Sequence, residues 1–340
     1  MIYFVTKGNL VTGGPETLHQ AACVFKKNGI NVCMYYEQPH VLQTPNKYRK
    51  YNIAVADKIV DSKDNIIVVP ETMTFVLKRF KHMTKVIWWL SVDFFESGKL
   101  SNWTNSAINY KKLPKAAFPA VALYRLIKTD FYYYHFEDSN KYFHFYNCEY
   151  ARQYLLSHGV SQSHMRYLCG PLSDNFINNK TDIKEDRDNI ILYNPKKGFE
   201  FTNKLILEAK KMNLNARFIP LKNMSEFEIQ NIMKHSKIYI DFGDFPGPER
   251  IPRESVMMGC NIITSNQGAA SYHQDVPIPD MLKYSKNDNN IINIINRLRD
   301  MLDNYDKYFH YYDEYRGKVR NQLKLFNEEI NNISNILLKK

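Results

Sequence analysis

Short apolar runs alternate with longer amphipathic stretches along the first half of the chain. An apolar run at residues 2–6 precedes a stretch, 15–28, whose apolar positions recur every three or four residues. This spacing predicts a strand followed by a helix, and Gly29 is a suitable helix stop. A second apolar run at 31–36 completes a strand, helix, strand order, which is typical of a Rossmann-like parallel sheet. Further strands are predicted at residues 53–56, 66–69, 85–90 and 143–147, and helices at 72–80 and 149–158.

The same alternation begins again after a polar, charged run at residues 180–188, where we place the linker between two domains. In the second half, Ser225 and Glu228 form a capping-box pattern ahead of a helix over 225–233. Strands are predicted at residues 189–193, 216–220, 237–241 and 261–264, and further helices at 199–212 and 255–258. The tail, 290–340, is mostly helical, with interruptions expected in the Tyr-rich stretch 305–315 and at Gly317. We therefore predict an N-terminal Rossmann-like domain over 1–178, a C-terminal one over 179–320, and a final helix, 321–340, packed back on the N-terminal domain.

Composition fits two such domains and favours an anionic partner. The chain has 340 residues, 44% of them hydrophobic, and a formal net charge of +11. A basic protein favours nucleotides, nucleic acid or an anionic membrane face. The five cysteines have neither paired nor metal-like spacing, so buried thiols are expected. No signal-peptide pattern opens the sequence, and its longest near-apolar run, 116–127, is too short for a membrane span. We expect a cytoplasmic protein, with a peripheral position at the inner membrane face as the alternative.

The most informative stretch is residues 245–270, FPGPERIPRESVMMGCNIITSNQGAA. Arg250, Arg253 and Glu254 stand between turns rich in glycine and proline, after one predicted strand and before another. A polar loop ending at Gly268 follows the second strand. Guanidinium groups bind phosphate in a bidentate fork, and ligands of open α/β sheets bind at the carboxyl ends of the strands. This pattern predicts an anion and sugar site; the alternative is a surface turn with ordinary salt bridges.

Two shorter loops occupy equivalent positions after strands. Gly13 and Gly14 precede the first helix, whose N-terminus would attract an anion. Asn194 to Gly198 reads NPKKG, so Lys197 would reach a phosphate at the strand end. Neither loop matches GxGxxG or a P-loop, which leaves a standard dinucleotide fingerprint unsupported. A plain turn is the alternative for the first loop, and a solvated basic turn for the second.

Two further regions suggest chemistry. Residues 88–93 read WWLSVD, and Asp93 is a candidate base or sugar ligand; the alternatives are a helix cap or a lysine partner. Residues 111–135 interleave aromatic residues with Lys111, Lys112, Lys115 and Arg125, which suits an anionic membrane surface, with a plain surface helix as the alternative. Nucleic acid is not expected, because no RNP, KH or helix-turn-helix pattern occurs. The histidines lack metal-ligand spacing and no GxSxG motif is present, so metal catalysis and an α/β hydrolase are unsupported.

Three of these stretches together resemble the GT-B glycosyltransferases, over most of both domains. They are residues 12–20 (TGGPETLHQ), 194–198 (NPKKG) and 239–270, with the core PGPERIPRE. The similarity is greatest to bacterial enzymes of capsule and lipopolysaccharide synthesis in the retaining family with an E-x7-E motif. The resemblance implies two Rossmann-like domains that face a central cleft. It also implies that Gly13 and Gly14 touch the donor, Lys197 binds its diphosphate and Glu254 its ribose. Position 246, where the first glutamate of the motif belongs, is Pro246, with Glu249 off register, and Tyr193-Asn194 replaces the usual Gly-Arg pair.

The mechanism implied by the resemblance is transfer of a sugar from a nucleotide-sugar donor to an acceptor hydroxyl. Lys197, Arg250 and Arg253 would stabilise the leaving nucleoside diphosphate, so neither a metal nor another cofactor is expected. Asn194 and Gly268 are further candidates for binding the donor. Retention would need no obvious protein base, whereas inversion would need one, for which Asp93 and Glu16 are the candidates. The basic aromatic region would hold the acceptor, a glycan or lipid-linked glycan. The competing hypotheses are a different nucleotide-dependent Rossmann enzyme and a non-catalytic membrane- or nucleic-acid-binding protein.

Overall fold

The computed structural model describes residues 1–8, 10–37, 43–128, 134–178 and 186–338. The chain divides into two compact units. The N-terminal unit comprises Met1–Asn147, Ala151–Gly170 and Phe326–Lys340, and the C-terminal unit comprises Cys148–Tyr150 and Pro171–Leu325. The chain passes from one unit to the other after Gly170, ahead of the boundary at 178 that the sequence suggests. Residues 180–185 of the expected linker, 180–188, lie outside the described residues.

The N-terminal unit is built on a six-stranded parallel sheet with the strand order β2-β1-β3-β4-β5-β6. Strand β1 lies between β2 and β3, and Ile2 pairs with Val32 on one side and with Ile66 on the other. The first five residues of β1 are buried, as expected for a central parallel strand that is covered on both faces. The strands are β1 Ile2–Lys7, β2 Val32–Glu37, β3 Ile66–Pro70, β4 Thr84–Trp89, β5 Phe143–Tyr146 and β6 Met165–Tyr167. The α-helices are α1 Gly13–Lys27, α2 Val92–Gly98, α3 Leu100–Tyr110, α4 Phe118–Lys128 and α5 Glu149–Ser157.

The C-terminal unit has a five-stranded parallel sheet with the order β11-β10-β9-β7-β8. The strands are β7 Asp188–Tyr193, β8 Arg217–Pro220, β9 Ser236–Asp241, β10 Asn261–Ser265 and β11 Lys283–Tyr284. The helices are α6 Asp174–Ile177, α7 Phe199–Lys211, α8 Glu226–Lys234, α9 Arg250–Met257, α10 Ile291–Asp303, α11 Tyr305–Phe309 and α12 Asp313–Leu338. The capping box of α8 is present, since Ser225 and Glu228 each accept the other's backbone N–H.

The last turns of α12 belong to the core of the N-terminal unit. Phe326, Ile330, Ile333 and Leu337 recur at helical spacing and pack into the cluster that holds Phe4, Leu18, Trp88 and Phe145. This is the segment for which the sequence predicts packing on the N-terminal domain.

Four expectations differ from the observed elements. Residues 53–56 form no strand, and only Val55 makes an isolated bridge to Met34. The predicted helix at 72–80 is a 3-10 helix, Glu71–Arg79. Helix α9 starts at Arg250, well before the predicted residue 255, because Pro252 lies in the first turn, where a proline costs no hydrogen bond. Gly317 does not interrupt α12, and a Cβ there would meet nothing within 4 Å.

Among the described residues, no helix is both long enough and apolar enough to cross a bilayer. All five cysteines are free thiols, and four of them are buried.

Candidate functional site

Three loops meet at the carboxyl edge of the C-terminal sheet, after β7, β9 and β10. Two glycines allow the backbones of neighbouring loops to come into contact. Gly198 has φ +60°, and a Cβ there would lie 2.0 Å from the Phe242 carbonyl oxygen. Gly268 has φ +52°, and its Cβ would lie 2.1 Å from the Phe245 carbonyl oxygen. The left-handed φ and the absence of room each select glycine at these positions, so the loops are fixed relative to one another.

Hydrogen bonds close the same assembly of loops. The Ala269 amide donates to the Phe245 carbonyl oxygen at 2.8 Å, and the Ser265 hydroxyl donates to the Gly243 carbonyl oxygen at 2.5 Å. Asn194 shapes the first loop, since its side-chain oxygen accepts the Lys196 amide at 3.0 Å. Asn194 and Gly268, both predicted to bind a donor, therefore lie at this edge and hold its backbone in place.

Lys197 is the cation at the centre of this edge. Its Nζ lies 2.5 Å from Oε2 of Glu249, and about a third of the lysine side chain is exposed. Asp241 lies beneath, where it accepts the Tyr239 hydroxyl at 2.6 Å and the Gly243 amide at 2.9 Å. Burial raises the pKa of Asp241 to about 6, although the Tyr239 and Gly243 hydrogen bonds and the Lys197 charge act in the opposite direction. The pairing of Lys197 with Glu249 was not anticipated from the sequence.

Helix α9 presents Arg250 and Glu254 one turn apart. The Arg250 Nε donates to Oε1 of Glu254 at 3.1 Å, and its second guanidinium contact with the same oxygen measures 3.0 Å. Glu254 is only 6% exposed, and its burial raises its pKa while the Arg250 charge counteracts this. A buried carboxylate held by one arginine is an acceptor suited to hydroxyl groups.

Arg253 is directed into the protein. Its guanidinium donates to the carbonyl oxygens of Glu249 and Pro248 at 3.2 and 3.0 Å and to Oε1 of Gln322 at 2.6 Å. Only 6% of the residue is exposed. The role predicted for Arg253 in holding a diphosphate does not fit this geometry, because its donors bond the loop before α9 and the helix α12.

In the N-terminal unit, Gly13 and Gly14 open helix α1 at the carboxyl edge of the first sheet. Thr12 is the N-cap residue and makes no side-chain capping bond. Beside them is a cavity of about 280 Å³ that Gly14, Leu90, Ser91 and other residues line. Of the residues predicted for this unit, Gly14 lines the cavity, and Gly13, Glu16 and Asp93 are each next in sequence to a residue that lines it.

A buried acid that the sequence analysis missed also lines the cavity. Glu71 follows β3 directly, is 2% exposed, and accepts the Leu90 amide at 2.9 Å. Burial raises the pKa of Glu71 to about 7, and the backbone amides of Leu90, Glu71 and Ser91 oppose that rise. The available signal was an acidic residue directly after the apolar run 66–70.

The two candidate bases lie in different surroundings. Glu16, in the first turn of α1, is 5% exposed and pairs with Lys47 at 3.2 Å and with Lys50 at 3.5 Å. It also accepts the Tyr51 hydroxyl at 3.3 Å, so its carboxylate is already occupied. Asp93 lies half-buried in the first turn of α2, and Ser91 caps this helix by accepting the Phe94 amide at 3.3 Å. A helix cap was the alternative role suggested for Asp93, but the residue that caps α2 is Ser91.

The predicted basic aromatic region, 111–135, contains α4 and the loop that joins it to α3, and these two helices form a hairpin. Lys111, Lys112 and Lys115 lie exposed between the two helices. The Arg125 guanidinium stacks 4.3 Å from the centre of the Trp103 ring, and so it helps to join α4 to α3. An open groove between the helices is lined by Trp103, Ala107, Tyr110, Leu113, Val121 and Tyr124. Tyr110 is 89% exposed and Ile127 70% exposed; residues 129–133 of the predicted region lie outside the described residues.

Over the described ranges, no group of three or more His, Cys, Asp or Glu side chains is arranged to hold a metal ion. The polar groups that converge at the C-terminal edge are a lysine, an arginine and carboxylates. Their chemistry suits a ligand that carries phosphate at one end and hydroxyl groups at the other.

Comparison with known proteins gives the fold. No protein-family model matches the sequence, and no curated protein matches it. Solved structures do match. Anabaena HepE in complex with UDP has a TM-score of 0.62 at 11% identity, with 99% of this chain and 100% of that chain covered. The sucrose-phosphate synthase of Thermosynechococcus elongatus has a TM-score of 0.60 at 12% identity, with 99% of each chain covered.

Two further solved structures match the chain with lower TM-scores. WaaG, a glycosyltransferase involved in lipopolysaccharide biosynthesis, has a TM-score of 0.51 at 12% identity over both whole chains. A TarM variant of S. aureus in complex with fondaparinux, alpha-GlcNAc-glycerol and UDP has a TM-score of 0.51 at 12% identity. The chain covers 57% of that TarM chain. These neighbours show an α/β fold of the GT-B class, as the sequence predicts.

Proposed function

We propose that the protein is a glycosyltransferase that moves a sugar, of the hexose type, from a nucleotide-sugar donor to an acceptor hydroxyl. The observation that carries the proposal is the edge of the C-terminal sheet, where Lys197, Arg250 and the buried Glu254 converge on rigid loops. The GT-B fold supports it, because the HepE, TarM and WaaG structures belong to the same fold.

The donor would bind at this edge of the C-terminal unit. Lys197 and Arg250 are the cations that we propose for the diphosphate, and Glu254 is the carboxylate that we propose for the ribose hydroxyls. UDP is the first nucleotide to test, since HepE and TarM were each solved with UDP. The loops locked by Gly198 and Gly268 would keep the cations in place without reorganisation during the reaction.

The chemical step would break the bond between the anomeric carbon and the diphosphate oxygen and form a bond to the acceptor oxygen. Negative charge develops on the leaving diphosphate, and Lys197 and Arg250 would stabilise it in place of a metal ion. If the configuration inverts, Asp93 is the base that we propose, because Glu16 is held by two lysines and a tyrosine.

The acceptor would be a glycan or a lipid-linked glycan of surface polysaccharide or lipopolysaccharide synthesis. The hairpin of α3 and α4 supports this choice. Its exposed lysines, Lys111, Lys112 and Lys115, lie beside exposed aromatic and aliphatic side chains. No acidic residue occurs between Glu96 and Asp130. Such a surface would bind anionic lipid, and we propose on this ground a cytoplasmic protein at the inner face of a membrane.

The test is a thermal-shift panel with UDP, GDP, CMP, ADP and their sugar conjugates, with and without EDTA. Stabilisation by one nucleoside diphosphate, unchanged by EDTA, is the expected result. Lys197→Met should weaken it, while the matched control Lys196→Met, which changes an exposed lysine in the same loop, should retain it. Glu254→Gln should weaken the response to nucleotides that carry a ribose.

Other outcomes would assign a different function. A response to NAD(P)H alone would favour another class of Rossmann enzyme. No response to any nucleotide, together with unchanged vesicle binding in Glu254→Gln, would refute the transferase and favour a non-catalytic binding protein.

A further inference from the structure

The ion pair between Lys197 and Glu249 raises a question about the proposed donor site. The ammonium that would hold the diphosphate is already in contact with a carboxylate, at 2.5 Å. The lysine side chain is 34% exposed and the glutamate side chain 19% exposed, so both reach solvent. A ligand can therefore approach the pair from the water side.

The backbone of Glu249 is fixed, whereas its side chain is not tied to the helix that it precedes. Glu249 is the N-cap residue of α9, and its carboxylate makes no capping bond. Its carbonyl oxygen accepts the Arg253 guanidinium, which holds the main chain. The carboxylate can thus leave Lys197 by side-chain rotation alone, without moving the loop.

Electrostatics around Lys197 make the carboxylate a competitor for an incoming anion. The buried Asp241 also interacts with Lys197, and Glu249 in turn raises the pKa of Asp241. A single ammonium is therefore shared by two carboxylates before any ligand arrives. A diphosphate that binds Lys197 must displace Glu249 and also overcome the repulsion of both carboxylates.

We propose that Glu249 is an internal competitor that occupies Lys197 in the absence of nucleotide and takes it back when the nucleoside diphosphate leaves. This inference rests on the proposed function, because it assigns Lys197 to the donor's diphosphate. The competition keeps Lys197 from stray anions and weakens the binding of the product, so that release of the nucleoside diphosphate is faster. Glu249 thereby sets the affinity of the donor site without being one of its ligands.

The test compares UDP affinity in the full-length protein and in Glu249→Gln by calorimetry. Loss of the competing charge should tighten UDP binding about five-fold, the equivalent of about 1 kcal/mol for a partly exposed ion pair. The matched control is Glu200→Gln, which removes an exposed carboxylate from the first turn of α7. That control should change the affinity by less than two-fold, roughly the effect of an exposed, screened charge.

A double-mutant cycle separates this contact from general charge. In a Lys197→Met background, Glu249→Gln should give no gain in affinity. A gain that persists in that background would overturn the proposal, as would weaker UDP binding by Glu249→Gln, since the carboxylate would then be a ligand of the nucleotide.

A readout without nucleotide distinguishes failure of this inference from failure of the proposed function. Acylation of Lys197, measured by mass spectrometry relative to Lys196, should be faster in Glu249→Gln, because the ammonium loses its ion-pair partner. If UDP binds the wild type and Glu249→Gln is not tighter, the competitor role alone is refuted. If acylation rises and neither protein binds any nucleotide, the proposed donor site itself is refuted, and this inference with it.

Discussion

Substitution of Gly198 by alanine tests whether the loops of the candidate site are packed backbone to backbone. A Cβ at this position would lie 2.0 Å from the Phe242 carbonyl oxygen, whereas ordinary contact begins at 3.4 Å. The loop must therefore move by about 1.4 Å, the difference between those two distances. The residue must also keep φ +60°, which costs an alanine about 1 kcal/mol.

The control for the dihedral cost is Gly29→Ala. Gly29 has φ +77°, and a Cβ there would meet nothing within 4 Å. We expect Gly29→Ala to lose about 1 kcal/mol, and Gly198→Ala to lose at least about 3 kcal/mol because a steric clash adds to the strain. Both glycines have a left-handed backbone, but only Gly198 would clash when it is replaced. The difference in destabilisation between the two variants therefore measures how tightly the loops are packed.

Hydrogen exchange followed peptide by peptide is the suitable assay, because each unit can then be read separately. Gly198→Ala should lower protection in β7 and β9, and Gly29→Ala should lower it in α1. UDP affinity should fall at least about ten-fold in Gly198→Ala, since Lys197 moves with its neighbour, and should not change in Gly29→Ala. Equal destabilisation by the two substitutions, or unchanged UDP affinity in Gly198→Ala, would refute the packing argument.

Three further predictions concern other parts of the chain. The pKa of Glu71 rises from 4.5 to about 7 on folding, so the native state binds the proton more tightly and stability falls as pH rises through this window. Glu71→Gln should remove this pH dependence of the free energy of unfolding, which amounts to at most roughly 3 kcal/mol between pH 4.5 and 8. Urea unfolding followed by tryptophan fluorescence measures it, and an unchanged pH dependence in the variant would contradict the prediction. Arg253→Met should destabilise α9 by about 2–3 kcal/mol, as measured by hydrogen exchange, because the internal hydrogen bonds of its guanidinium are lost. If the variant is as stable as the wild type and no longer binds UDP, Arg253 is a ligand of the nucleotide instead. Charge reversal of Lys111, Lys112 and Lys115 together should abolish sedimentation with anionic vesicles, at about 1 kcal/mol per lysine, and should not alter UDP binding; continued sedimentation would argue against the hairpin.

Most strands and helices could be predicted from the sequence, because each is indicated by a local pattern of apolar and polar residues. Strand β9 was expected at residues 237–241 and is found at Ser236–Asp241. The capping box at Ser225 was expected and is present. The strand expected at 53–56 is absent, since a short apolar run does not show whether a neighbouring strand is available for pairing.

The direction of the parallel strands was enough to predict which edge of the sheet would hold the site. It was not enough to predict where each side chain at that edge points. Arg253 was grouped with Arg250 because the two are close in sequence, yet only the tertiary structure shows that Gln322 is within reach of Arg253. Glu71 was missed because burial of an acid depends on packing, which has no local signature. The contact of Lys197 with Glu249 joins residues far apart in the chain, so spacing along the sequence carries no information about it.

The division of the chain into units has a consequence for biosynthesis. The N-terminal unit draws part of its core from Phe326, Ile330 and Ile333, which the ribosome adds only after every residue of Pro171–Leu325. The core of the N-terminal unit therefore stays incomplete, without the last turns of α12, while the C-terminal unit is synthesised and folds. A chain that stops near Leu325 would contain the whole of the C-terminal unit and an N-terminal unit with an exposed apolar face. Such chains would be recognised by chaperones and proteases through the unit that was made first.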